Sequence, residues 1–127
     1  MTADIAALTS LVDRYIAVWN EADANRRQAL IMLTFVEHAS YLDPMLAGEG
    51  HDGINALVEA VHAKYPGYKF SRTSDVNAHH DRAQFDWQLA PGNGPALVKG
   101  LDFSIVSDDG RLKAVTGFYT ELNMPQP

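Results

Sequence analysis

Apolar positions near the N-terminus recur at spacings of three and four: Ile5, Leu8, Val12, Tyr15 and Trp19. That spacing predicts an amphipathic helix over residues from about 4 to 21. Asp23 is placed to cap a second helix running through Arg26, Ala29, Leu30, Leu33 and Phe35. The period then switches to two. Ala39-Ser40-Tyr41-Leu42-Asp43 reads as a short strand with Ala39, Tyr41 and Asp43 on one face, and Pro44 ends it because proline has no N–H to give a ladder. The glycine-rich stretch 48–53 predicts a loop leading into a helix capped near Asp52. Ile54, Leu57, Val58 and Val61 form the apolar stripe of that third helix, and Pro66-Gly67 stops it.

From Tyr68 onward the pattern alternates. Residues 68–79 and 83–90 predict a long hairpin turning near His80-Asp81-Arg82, with Phe85, Trp87 and Leu89 on one face and Gln84, Asp86 and Gln88 on the other. Pro91-Gly92-Asn93-Gly94-Pro95 is a loop. Residues 97–106 and 111–121 form a second hairpin around Ser107-Asp108-Asp109-Gly110, where glycine supplies the positive φ. Helices, a strand, a helix and then an antiparallel meander give an α+β fold, with helices on one face of a curved sheet. Met124-Pro125-Gln126-Pro127 reads as a frayed tail.

At 127 residues the chain is expected to form one domain, 1–127, around one core. Cysteine is absent, which removes disulfides, thiolate metal sites and a cysteine nucleophile. The formal net charge of -6 disfavours a nucleic-acid partner, which would need a basic face. No stretch approaches the ~20 apolar residues of a membrane span, and no basic-then-apolar leader opens the chain, so no membrane partner is expected and a cytoplasmic location is the default.

Gly48-x-Gly50-x-x-Gly53 matches the dinucleotide fingerprint by letter but lacks its context. Asp43-Pro44 breaks the preceding strand, Glu49 and Asp52 would repel a pyrophosphate, and an antiparallel meander follows. His79 and His80, if in a strand, point to opposite faces and cannot share an ion, so the pair reads as a solvated hairpin end. His38, His51 and His62 are isolated, with His38 or His51 able to line a pocket mouth. No metal site is expected. The carboxylates are more informative. Asp43 beside Tyr41 at a strand rim either starts a turn or serves as a proton shuttle at an apolar cavity. Asp102 shares a face with Val98, Gly100, Ser104 and Val106, while Leu101, Phe103 and Ile105 form the greasier side. Parity alone sends Asp102 to water, unless both faces of the sheet are covered, when it becomes a buried acid that needs a partner.

The segments Arg14-Tyr15-Ile16-Ala17-Val18-Trp19-Asn20-Glu21-Ala22-Asp23, Ala39-Ser40-Tyr41-Leu42-Asp43-Pro44 and Gly53-Ile54-Asn55-Ala56-Leu57 resemble the SnoaL-like branch of the nuclear transport factor 2-like superfamily. Gly100-Leu101-Asp102-Phe103, Asp109-Gly110-Arg111-Leu112 and Gly117-Phe118 extend the likeness over nearly the whole chain. The resemblance implies a cone: a strongly bent sheet wrapped around the first helix and enclosing one pocket. Within that superfamily the chain is similar to ketosteroid isomerases at three points. Their oxyanion-hole tyrosine falls on Tyr15, their general base on Asp43, and their protonated aspartic acid on Asp102. Two features depart from the pattern: extra residues around Arg26-Arg27-Gln28, and the Tyr41 phenol beside the base.

These residues lead to the expectation of a cofactor-independent enzyme acting on a small, largely apolar carbonyl compound. Asp43 would remove a proton beside the carbonyl while Tyr15 and Asp102 donate to the developing enolate, so isomerisation and ring closure both fit. Trp19, Tyr41, Phe85, Trp87 and Phe118 are the candidate pocket walls, and no basic residue is expected there. The alternative is a ligand-binding or protein-interaction module of the same fold. The apolar residues Leu97, Leu101, Phe103 and Ile105 predict a homodimer interface on the sheet face away from the pocket.

Overall fold

Asp4 caps helix α1 (Ile5–Asn20) by accepting the Ala7 backbone N–H at 3.2 Å. The coordinates are a computed structural model describing residues 4–123, so the tail expected at Met124–Pro127 lies outside the described residues. The apolar stripe of α1 buries Leu11, Val12, Tyr15, Val18 and Trp19. Asp23 caps helix α2 (Ala24–Thr34), its carboxylate accepting Arg26 N–H at 2.8 Å. That helix does not run through Phe35. Thr34-Phe35-Val36 is a β-branched and aromatic run that favours extended backbone. Phe35 therefore opens strand β1 (Phe35–Leu42) and is wholly buried. The buried face of α2 is Arg27, Ile31 and Thr34, which leaves Leu33 61% exposed. Arg27 docks α2 onto the third helix, its Nε donating to Asn55 Oδ1 at 3.0 Å and a guanidinium nitrogen to the Glu21 carbonyl at 3.4 Å.

The glycine-rich stretch is not a loop. Gly48 belongs to strand β2 (Ala47–Glu49), paired antiparallel with β1 opposite Tyr41. A Cβ at Gly48 would come within 2.8 Å of Leu57 Cδ1, so glycine lets helix α3 (Gly50–Lys64) lie close against β2. Gly50 takes φ +75° and starts α3 two residues before the expected cap. Asp52 is inside the first turn, where its charge complements the positive helix end.

Strands β3 (Tyr68–Arg72) and β4 (Asn77–His79) replace the single long strand expected over 68–79. Both pair with β5 (Arg82–Pro91), and the break between them is held by Thr73 N–H donating to the Asp86 carbonyl and Asp86 N–H to Ser74 Oγ, each at 2.8 Å. Strands β6 (Val98–Val106) and β7 (Leu112–Leu122) complete the meander around Gly110, φ +83°. The sheet order is β2-β1-β7-β6-β5-β3, with β4 on β5. It is mixed, because β1 lies parallel to β7.

The sheet curls into a half-barrel around α1, the α+β cone expected from the sequence. Its inner face carries Ala83, Phe85, Trp87 and Leu89 from β5 and Val98, Gly100, Asp102 and Ser104 from β6. Among the described residues no helix is long and apolar enough to cross a membrane.

Candidate active site

Tyr15 and Trp19 are one helical turn apart on α1 and project from the same face into the cone. They are 2% and 4% exposed, with ring centroids 6.4 Å apart edge to face. Asp102 meets them from β6. Gly100 and Ser104, its neighbours of the same parity, are also buried, so Asp102 faces inward and is only 3% exposed. Parity with Leu101 misleads because the greasier side of β6 is the outer one. Leu101, Phe103 and Ile105 stay only partly buried there and are not among the residues packed on the core.

A buried carboxylate requires donors. Asp102 Oδ2 accepts the Tyr15 hydroxyl at 2.7 Å, and Oδ1 accepts the Trp87 Nε1–H at 2.8 Å. Trp87 reaches it because Gly100, its cross-strand partner, has no side chain. A Cβ there would sit 2.3 Å from Trp87 Cζ2. Burial above all lifts the Asp102 pKa to about 6; the two bonds pull it down and the charge of Asp43 adds to the rise. Burial, followed by the Asp102 charge, pushes Tyr15 well above the usual phenol range.

Asp43 follows β1 and is the pivot of a turn. Its Oδ1 accepts the backbone N–H groups of Met45 and Leu46, each at 2.8 Å, and Oδ2 accepts the Tyr41 hydroxyl at 2.6 Å. With two donors on Oδ1 and one on Oδ2, the acceptor position left for a substrate proton is on Oδ2. Between the two carboxylates lies Gly117. A Cβ on it would be 2.8 Å from Asp102 Oδ1 and 3.2 Å from the Asp43 Cβ. The site therefore depends on a glycine that carries no chemistry of its own.

The cavity they share is about 210 Å³, and Tyr15, Trp19, Tyr41, Asp43, Trp87 and Asp102 all stand on its wall. Two expected wall residues do not. Phe85 is buried behind the cavity, its ring centroid 5.9 Å from that of Tyr15. Phe118 points out of the cone and is 55% exposed, because Val115, Gly117 and Tyr119 hold the inward parity of β7. Tyr119 is the wall residue that alternation from Val115 identifies; burial, then the Asp43 charge, push it up to about 12. Phe70, Leu46 and Met45 also line the cavity.

The expectation of no basic wall residue fails. Lys64, one turn beyond Val61 on the α3 stripe, lies at the rim with its Nζ 5.5 Å from the Tyr65 ring centroid. Trp19 Nε1 is buried with no hydrogen-bond partner among the described residues. An orphan donor of this kind costs about 1–3 kcal/mol in desolvation.

The histidines stand apart from the cavity. His51 and His62 bond to the carbonyls of Phe35 and Trp19 at 2.9 and 2.7 Å, and His38 is exposed. His79 and His80 do come together, Nδ1 to Nδ1 at 3.1 Å, because His80 sits in a turn at φ +50° rather than in a strand. Among the described residues no group of three or more histidine, cysteine or carboxylate side chains could hold a metal ion.

No protein-family model matches the sequence, and no curated protein matches it. Among solved structures the chain is similar to a candidate isomerase of the SnoaL-like family from Agrobacterium tumefaciens, with 33% identity over 91% of this chain and 99% of that one, TM-score 0.87. It is also similar to a candidate polyketide cyclase from Sinorhizobium meliloti, with 16% identity, 85% and 93% coverage and a TM-score of 0.66. A nuclear transport factor 2-like protein of unknown function from Exiguobacterium gives 16% identity, 87% and 98% coverage and a TM-score of 0.69. The last two likenesses concern the fold alone.

Proposed function

The chain belongs to the SnoaL-like family of the nuclear transport factor 2-like superfamily, and from that premise we propose that it is a cofactor-independent enzyme of enolate chemistry. The observation that carries the reading is the placement of Asp43 and Asp102 either side of Gly117 in one aromatic-walled cavity. In this reading the substrate is a small, largely apolar carbonyl compound. Asp43 Oδ2 takes a proton from the carbon next to the carbonyl, the electron pair moves into an enolate, and Tyr15 donates to its oxygen. Asp43 then returns the proton to another carbon (isomerisation), or the enolate carbon attacks a second carbonyl, whose C=O π pair moves onto oxygen and takes the proton back from Asp43 (ring closure).

Asp102 takes a different part from the one expected. Both its oxygens already accept bonds, and in its ionised form it holds the Tyr15 proton. Protonated, it donates to the Tyr15 oxygen and releases the Tyr15 proton to the ligand. Asp102 and Tyr15 thus act in series rather than as parallel donors.

Proton exchange tests this without knowledge of the substrate. A panel of apolar cyclic ketones such as 2-tetralone, incubated with the protein in D2O, is expected to exchange its α-protons faster than in buffer. Asp43→Asn should abolish the gain. A panel whose members bind yet exchange only at the buffer rate would overturn the reading. It would favour the second one, a ligand holder without turnover, for which the three hydrogen bonds already on Asp43 speak. We also propose that the outer sheet face pairs with a second copy of the chain.

A further inference from the structure

Resting on that reading, we propose that Lys64 determines specificity, and that the substrate is an apolar keto acid whose carboxylate meets the Lys64 ammonium at the cavity mouth. The charged groups on the cavity wall are Asp43, Asp102 and Lys64, so Lys64 is its one cation among the described residues. They stand at different depths. Asp102 is 3% exposed, Asp43 is half-buried and Lys64 is exposed. The rings of Trp19, Tyr41, Phe70 and Trp87 belong to the same wall. A ligand lying along that depth meets hydrogen-bonding groups at its inner end, apolar surface along its body and a positive charge at the mouth.

Among the described residues Lys64 makes no salt bridge, whereas Arg72, Arg82, Lys99 and Arg111 each pair with a carboxylate. Its place on α3 is also informative. Leu57 and Val61 pack on the core, and Lys64 follows them at the next stripe position, so its stem lies on the cavity wall while its head reaches water. Nζ stands 5.5 Å from the Tyr65 ring centroid, within range of a cation–π attraction that keeps the head at the mouth. A lysine that merely complemented the end of α3 would do so equally well from the solvent side of the last turn. A neutral ketone gives this cation nothing to bind. A carboxylate, in contrast, enters a wall that already carries Asp43 and Asp102, and Lys64 offsets that repulsion. One ammonium matches the single charge of a carboxylate, where a phosphate dianion would leave a charge unmatched.

A 2-tetralone bearing a ring carboxylate and its methyl ester form the probe pair, with α-proton exchange of each taken relative to buffer near neutral pH and at low salt. The wild type is expected to favour the acid over the ester in kcat/KM by about three- to tenfold, through KM. Lys64→Met, which keeps the stem, should erase or reverse that preference, Lys64→Arg should keep it, and about 0.5 M NaCl should shrink it. A wild type that treats the two probes alike or favours the ester overturns the inference, as does a Lys64→Met variant that still favours the acid. The enolate reading survives either result as long as Asp43→Asn stops both exchanges. A second readout needs no turnover. Binding of a hydroxynaphthoic acid and of its methyl ester, followed by quenching of tryptophan fluorescence, should show the same preference and its loss in Lys64→Met. Binding with that preference, but with neither ketone exchanging faster than in buffer, overturns the enolate reading and keeps Lys64 as the selector of carboxylate ligands.

Discussion

Asp43 and Asp102 approach each other across a residue without a side chain: a Cβ on Gly117 would stand 3.2 Å from the Asp43 Cβ and 2.8 Å from Asp102 Oδ1. Gly117→Ala is therefore expected to push on the oxygen that Trp87 bonds, and to break that bond before it moves the backbone. The variant should fold, lose about 1–3 kcal/mol of stability as overpacked sites do, and lose most of its α-proton exchange. Urea unfolding and the ketone exchange assay check both. An alanine variant with wild-type exchange would mean that the spacing of the carboxylates is irrelevant to the chemistry.

Asp102 ties stability to pH. Its folded pKa of about 6 lies above the ~3.9 of an unfolded aspartate, so between these values the folded state holds a proton that the unfolded chain has released. Its contribution to stability thus falls as pH rises from about 4 to about 6 and stays low above. The loss is on the order of 3 kcal/mol. Asp102→Asn removes it, because an amide can accept from Trp87 and donate to Tyr15 without ionising. Measured by urea unfolding, the variant should match the wild type near pH 4 and exceed it near pH 8. A constant difference between them over that range would sink the assignment.

The same protonation sets the reaction. Exchange should decline as pH rises through about 6 in the wild type, as Asp102 ionises and recaptures the Tyr15 proton. In Asp102→Asn that limb should disappear from the kcat/KM profile.

Asp43 separates a structural role from a chemical one. Asparagine keeps an oxygen to accept from Met45 and Leu46, whereas alanine orphans both N–H groups. Asp43→Asn should stay within about 1 kcal/mol of the wild type, and Asp43→Ala should lose about 1–3 kcal/mol more. Both should lose exchange. Full exchange in the asparagine variant would reduce Asp43 to a turn residue.

Much of this was legible in the chain because helix α1 and strand β5 write their periods in strongly apolar residues. Tyr15, Trp19 and Trp87 lie where a period of 3.6 or of two puts them. What the pattern could not carry was non-local. The parallel pairing of β1 with β7 joins residues more than seventy positions apart, with no turn signal between them. The inward face of β6 is the one whose Asp102 meets Tyr15 of α1, which overrides the greasier parity of Leu101 and Phe103. Phe118, expected on the wall, and Tyr119, found there, are one position apart, which in a strand is the difference between outside and inside. Gly100 and Gly117 show only in three dimensions why they must be glycine.

The outer face of the sheet supplies the last expectation. Leu101 and Phe118 are cross-strand partners on β6 and β7, and Phe118 and Leu42 are 55% and 54% exposed. Leu97, expected with them, packs on the core instead. Apolar side chains grouped on one open face of an acidic protein call for a cover, and a two-fold pairing places the same stripe on itself. Light scattering at micromolar concentration should give twice the 14.0 kDa chain mass. Phe118→Glu, which sets a charge in the stripe without touching the cavity, should return a folded monomer that keeps its α-proton exchange. A wild-type chain that scatters as a monomer would leave this face without a partner of its own kind.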